Sequence, residues 1–70
     1  LIHADLFGRI LKINVRQGDH VVRGQVLLTL ESMKTEIHVS CSSEAIIKKI
    51  YIKEGEAVTE RQLLIELEEN

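Results

Sequence analysis

Residues 60–69 read ERQLLIELEE, and whether they form a helix or a strand decides the fold. On intrinsic preference they are helical, because leucine, glutamate and glutamine are good helix formers. An earlier stretch argues the other way. QVLLTLE at 25–31 matches QLLIELE at 62–68, yet it contains Val26 and Thr29 and ends after about six residues, as a strand does. The pair therefore predicts strands, with no helix over 60–69.

The match extends outward in both directions. Residues 8–31, GRILKINVRQGDHVVRGQVLLTLE, align without a gap on residues 45–68, AIIKKIYIKEGEAVTERQLLIELE, and nine of the 24 pairs are identical. The identities are Ile10/Ile47, Lys12/Lys49, Ile13/Ile50, Gly18/Gly55, Val21/Val58, Gln25/Gln62, Leu27/Leu64, Leu30/Leu67 and Glu31/Glu68. Each copy reads strand, turn, strand. ILKINV and IIKKIYI are rich in β-branched residues with lysines between apolar positions, as half-buried strands are. Gly18 and Gly55 then supply a turn residue tolerant of positive φ. A solenoid needs about three repeats to bury its faces, so two copies predict closure on each other. The expected result is an all-β barrel or sandwich with approximate two-fold symmetry, its core drawn from Ile10, Ile13, Val21, Leu27, Ile50 and Leu64.

Size and composition exclude several functions. A chain of 70 residues is one small domain, burying about 60% of its unfolded surface and leaving no room for a deep cleft. Isoleucine, leucine and valine number 24, whereas Phe7 and Tyr51 are the only aromatics, enough for an aliphatic core but not for base stacking. Nine basic and eleven acidic residues are interspersed, giving a net charge of −2, so a nucleic-acid partner is not expected. No apolar run exceeds the three residues of Val26–Leu28, far too short to span a membrane. No signal-like segment opens the chain, and Leu1 suggests an excised fragment. A lone cysteine, Cys41, fits a reducing compartment, cytosolic or organellar matrix.

LESMKTEI (30–37) connects the two copies. The end of VLLTLE and the start of EIHV pair as a hairpin, leaving SMKT as its tip. A turn lysine is ordinarily a solvated residue that discourages aggregation. Lys34 differs from the others in occurring once, since Lys12 and Lys49 are repeat mates and Lys48 and Lys53 lie in or beside one strand. Met33 is also unusual, because an exposed thioether gains little unless something contacts it.

Glu31-Ser32-Met33-Lys34, midway between two glycine-containing β-repeats, resembles the biotinyl attachment domain, whose motif is commonly Ala-Met-Lys-Met or Ser-Met-Lys-Met. The resemblance covers about Ala4 to Glu68. It implies a flattened β-barrel of two four-stranded antiparallel sheets, and a single biotinyl-attachment domain over residues 1–70. It further implies that Lys34 is joined covalently to biotin by biotin protein ligase, with Ser32, Met33 and Thr35 forming the recognition turn. The domain would then serve biotin carboxylase and carboxyltransferase sites as a non-catalytic carrier, in the cytoplasm or the mitochondrial matrix. Thr35 stands where the family commonly has Met, and Ala45 where it has glycine. The gapless first copy leaves no place for the thumb loop of some bacterial carriers.

Two relatives of that family offer other readings. The lipoyl domain shares the barrel but places Asp before its lysine and often Ala after it, where this chain has Met33 and Thr35. Unmodified lipoyl-like adaptor barrels usually separate their halves with a long helical hairpin, which is missing between these copies. Remaining candidates are structural. His3, His20 and His38 are scattered, and the odd spacing of His38 and Cys41 would put them on opposite faces of a strand. Cys41 reads as a small buried hydrophobe, Ser40, Ser42 and Ser43 as a loop, and ELEEN (66–70) as a solvated strand end.

Overall fold

The computed structural model of the chain describes residues 1–69. It is all-β, with eight strands: β1 (Ile2–His3), β2 (Gly8–Ile13), β3 (His20–Val21), β4 (Val26–Ser32), β5 (Thr35–Ser40), β6 (Ala45–Ile50), β7 (Ala57–Val58) and β8 (Leu63–Glu68). They form two four-stranded antiparallel sheets, ordered β1-β8-β6-β3 and β5-β4-β2-β7. Leu63–Glu68 is thus a strand, as its repeat partner required, and burial has overridden local helix preference. Asn70, the end of ELEEN, lies outside the described residues.

The repeat generates the architecture. Adding 37 to the residues of β2, β3 and β4 gives their counterparts in β6, β7 and β8, except that Ser32 maps one residue past the end of β8, and β1 maps onto the end of β5. The pairing obeys the same rule: Arg9↔Glu31 and Ile10↔Leu30 in one sheet become Ile46↔Glu68 and Ile47↔Leu67 in the other. Each half lends its short strand to the opposite sheet. β7 pairs with β2 through Gly8↔Val58, and β3 with β6 through Val21↔Ala45. Neither half could complete a sheet alone, which explains why two copies suffice. The three two-residue strands are additions to the strand–turn–strand expectation, too short to leave a periodic trace in sequence.

Bulges bend the sheets into a barrel. Between Ile10 and Lys12 the β2–β4 register shifts, leaving Leu11 as the extra residue, and Lys48 is its counterpart in β6. A second shift on β4 between Val26 and Leu28 makes Leu27 the extra residue, as Leu64 is opposite Ile2 and His3. Bulges sharpen twist and reset which side chains face inward. The bulge turns Leu27 inward beside Leu28, and four consecutive residues of β4, Leu27 to Leu30, are buried, where strict alternation would have exposed two.

Ile10, Val21, Leu27 and Leu64 are core residues, together with Leu28, Leu30, Ile47 and Ile65. Ile13 and Ile50 are partly buried and pack against that core from its edge; each follows a bulge, whose extra residue turns it inward where strict alternation from Ile10 or Ile47 would have pointed it out. Cys41 is buried, and its Sγ donates to the Ser43 carbonyl at 2.8 Å. Gly18 and Gly55 adopt φ of 93° and 89°, as the turn required. Gly8 is needed for a different reason. A Cβ there would collide with the Glu31 backbone carbonyl, whereas its repeat mate is Ala45, so the first copy crosses more tightly.

Candidate functional site

The connector hairpin joins a central strand of its sheet to an edge strand. β4 pairs with β2 on one side and β5 on the other, and Leu28 and Leu30 anchor it in the core while Ile37 and Val39 pack from β5. Thr29 Oγ1 and His38 Nδ1 share a cross-strand hydrogen bond of 3.1 Å. Pairing continues to Ser32↔Thr35, so the tip is narrower than the SMKT stretch suggested. Only Met33 and Lys34 lie beyond the last pair.

Both tip residues have positive φ, 52° for Met33 and 67° for Lys34. A two-residue hairpin with both central residues at positive φ is a type I′ turn, whose twist suits the flanking strands and whose preferred sequences are Asn-Gly, Asp-Gly and Gly-Gly. Met and Lys bear side chains that clash in this region, costing about 1–2 kcal/mol per residue. The tip therefore tolerates strain that a purely structural hairpin would avoid.

The four tip residues divide in two. Lys34 and Thr35 are exposed, and Met33 is 81% exposed, the highest among the large apolar residues. Ser32 is instead buried, and its Oγ has no hydrogen-bond partner among the described residues. Lys34 forms no ion pair among the described residues, whereas Lys48 reaches Glu66 at 3.5 Å and Lys49 lies 5.1 Å from the Tyr51 ring centre. Glu31 and Glu36, both exposed, are partners across the hairpin one pair below Ser32↔Thr35. Among the described residues no cluster of His, Cys, Asp or Glu could hold a metal, and His38 is exposed while Cys41 is buried.

A protruding lysine on a two-fold pseudo-symmetric barrel of two four-stranded sheets defines a class of carrier domain. The family described as "Biotin-requiring enzyme", the biotin/lipoyl family, matches residues 4–67. The chain is 36% identical over 66 residues to the biotin/lipoyl attachment protein of Bacillus subtilis, covering 94% of this chain and 90% of that one. It is 31% identical over 68 residues to the propionyl-CoA carboxylase alpha chain of Sus scrofa, covering 97% of this chain but only 9% of the relative. A single-chain, multi-domain long-chain acyl-CoA carboxylase contains the same fold, with a TM-score of 0.93 and 19% identity over 99% of this chain and 7% of that one. This chain belongs to the biotin/lipoyl attachment family, and it is a small, non-catalytic carrier domain.

Proposed function

We propose that residues 1–70 are a biotin carboxyl carrier domain, in which Lys34 is biotinylated and serves the biotin carboxylase and carboxyltransferase sites of a biotin-dependent carboxylase. The supporting observation is the Met33–Lys34 turn, a strained two-residue tip that holds the lysine amine clear of the barrel. Biotin is favoured over lipoate because Met33 stands where a lipoyl domain places Asp, and because the chain resembles a propionyl-CoA carboxylase subunit along nearly its whole length. The family resemblance supports an intracellular setting, cytoplasm or mitochondrial matrix, with no nucleic-acid or membrane partner.

Lys34 suits covalent attachment chemically. A primary amine on an exposed four-carbon stem is a nucleophile once deprotonated, and lysine amines are protonated at neutral pH. The ligase must therefore accept one proton before attack. The neutral Nζ then forms a C–N bond to the activated carboxyl carbon of biotinyl-adenylate, the C–O bond to AMP breaks, and a second proton leaves the nitrogen. Formal charge falls from −2 to −3 as the ammonium is lost. Once attached, biotin supplies a ureido nitrogen able to carry a carboxyl group. The barrel contributes presentation: it holds the tip outward, and confinement within an assembly raises the local concentration of the arm at each site. Ser32 is buried in the wall below the turn, while Met33 and Thr35 are free to be touched.

Co-expression with a biotin protein ligase followed by intact-mass measurement tests this reading. One biotin is expected on the native chain and none on Lys34→Arg, which retains charge but offers a guanidinium that does not react. Biotin mapped to Lys12, Lys48 or Lys49, or a native chain left unmodified, would overturn it.

A further inference from the structure

We propose that the free edge of β5 pairs with the same edge of a second copy of this chain. The two strands run antiparallel with Ile37 on the two-fold axis, so that Glu36 of each copy lies opposite His38 of the other.

β5 ends its sheet and, at six residues, is the one long edge among the described residues, since the other end strands have two residues each. The turn decides which groups that edge presents. In a two-residue hairpin the flanking pair, Ser32↔Thr35, is hydrogen-bonded, and alternation makes Leu30↔Ile37 the next bonded pair. Glu36 and His38 therefore direct their N–H and C=O groups away from β4, where no backbone partner meets them among the described residues. Proteins ordinarily blunt such an edge with lysine, proline or a bulge. β5 contains neither residue, and the register shift near its end comes from an extra residue on β4.

Charge selects the occupant and the register. Two-fold pairing must set outward-directed residues opposite one another. Glu36 on Glu36 would join like charges, and His38 on His38 would leave both carboxylates facing Ser40. Glu36 on His38 gives each carboxylate a donor, twice over, with Ile37 on Ile37 between them. His38 is prepared for this. Its Nδ1 shares a hydrogen bond of 3.1 Å with Thr29 Oγ1; with the hydroxyl donating, the neutral ring carries its hydrogen on Nε2, free to donate to a carboxylate. Glu36 already lies opposite Glu31, a like-charged pair that a donor on its other side relieves. Any extended segment could satisfy the backbone, but a pattern complementary to itself about Ile37 fits another β5. Ile37 and Val39, both partly exposed, would be covered along the seam.

So short a strand buries less than about 1,200 Å², the range of transient complexes. Association is therefore reversible, with a Kd on the order of 100 µM. Lys34 stands three residues from the axis, which sets the two tips about 20 Å apart at opposite ends of the joined strands. Both amines stay free.

Sedimentation equilibrium of the whole chain from about 10 µM to 1 mM, with amide hydrogen exchange at both concentrations, tests the edge. The average mass should rise toward twice the monomer value. Exchange at the Glu36 and His38 amides should slow about fivefold, the reduction in free edge expected at that Kd, while the β7 amides Ala57 and Val58 stay unchanged. Glu36→Lys and His38→Glu should each raise Kd about tenfold, and the two together, which restore opposite charges across the axis, should recover most of the loss. Thermal melts establish that each variant is folded. If His38→Glu is not, Glu36→Lys and the exchange pattern decide the matter. A native chain that stays monomeric at 1 mM, or protection that appears elsewhere than at Glu36 and His38, overturns the proposal. A dimer that survives Glu36→Lys, or losses that add in the double variant, overturns it as well.

Discussion

Gly24 and Arg61 hold the same left-handed backbone conformation in the two halves of the barrel, with φ of 86° and 71°. Each donates its N–H to an equivalent carbonyl, Gly24 to Cys41 at 2.8 Å and Arg61 to Ala4 at 2.7 Å. The repeat has kept the backbone shape and the hydrogen bond while the residue type diverged. A Cβ at Gly24 would meet nothing within 4 Å, so dihedral strain alone separates the two residues at this position.

Arg61→Gly should accordingly stabilise the domain. Relief of the left-handed strain is worth about 1–2 kcal/mol, and the greater freedom of glycine in the unfolded chain takes back part of it, leaving up to about 1 kcal/mol. Gly24→Ala should lose about 1 kcal/mol by the same reasoning. Urea midpoints at unchanged m-value measure both. A destabilised Arg61→Gly would mean that the arginine side chain makes a contribution larger than its backbone cost.

Ser32→Ala should be neutral or stabilising, by up to about 1–2 kcal/mol. The hydroxyl is buried without a hydrogen-bond partner among the described residues, and an unsatisfied buried polar group carries its full desolvation cost. Biotinylation should proceed at the native rate, because a side chain inside the wall is not available to the ligase. A slowed ligation at native stability would show instead that the hydroxyl shapes the turn.

Leu27→Ala and Leu64→Ala should each cost roughly 2–5 kcal/mol, a large share of the stability of so small a domain. Both leucines are fully buried at bulges that the two halves share. Equal losses at the two positions would indicate that the halves are energetically as well as geometrically equivalent.

Those bulges also mark how far the sequence could be read. The offset between Leu27 and Leu64 located the principal strands, their symmetry and the six expected core residues, four of them fully buried and Ile13 and Ile50 packed at the edge. It did not locate the bulges at Leu11 and Lys48, because an inserted residue is invisible to a count of alternation. Lys34 was legible by its unique position between the copies. The two-residue turn was not, since Met-Lys carries none of the Asn-Gly chemistry that announces a type I′ hairpin.

Stability should vary with pH through Tyr51 and Glu66, whose repeat mates, Asn14 and Thr29, do not ionise. Tyr51 Oη donates to Glu66 Oε1 at 2.7 Å. That hydrogen bond is the chief cause holding Glu66 below its ordinary value of 4.5, aided by Lys48 and Lys49 and opposed by desolvation, and it holds Tyr51 above 10.0. The lowered carboxyl contributes stability that is present above its unfolded pKa and lost as pH falls through the folded one. The raised phenol contributes stability that is present below 10.0 and lost as pH rises through its folded pKa. Tyr51→Phe should flatten both limbs of a melting-temperature profile. Persistence of the acid limb would assign it to other carboxylates.

Replacing the tip by the residues its backbone prefers separates stability from function. Met33→Asn with Lys34→Gly keeps the two-residue loop and both positive φ values but replaces one side chain by asparagine, which tolerates this region, and removes the other from a position where it costs about 1–2 kcal/mol. Glycine's extra freedom in the unfolded chain offsets part of that relief. A net gain of about 1–2 kcal/mol remains, and each kcal/mol should raise the melting temperature by about 4–8 °C in a domain of this size. The same variant should accept no biotin, having lost the only amine at the tip. Restoring the lysine alone, as Met33→Asn, should retain about half of the stability gain and recover the acceptor nitrogen without its apolar neighbour. Its KM for ligation should then exceed the native value while kcat is preserved. A double variant no more stable than the native chain would show that Met33 and Lys34 rest in this turn without strain, and the hairpin would lose its claim to be shaped for anything beyond joining two strands.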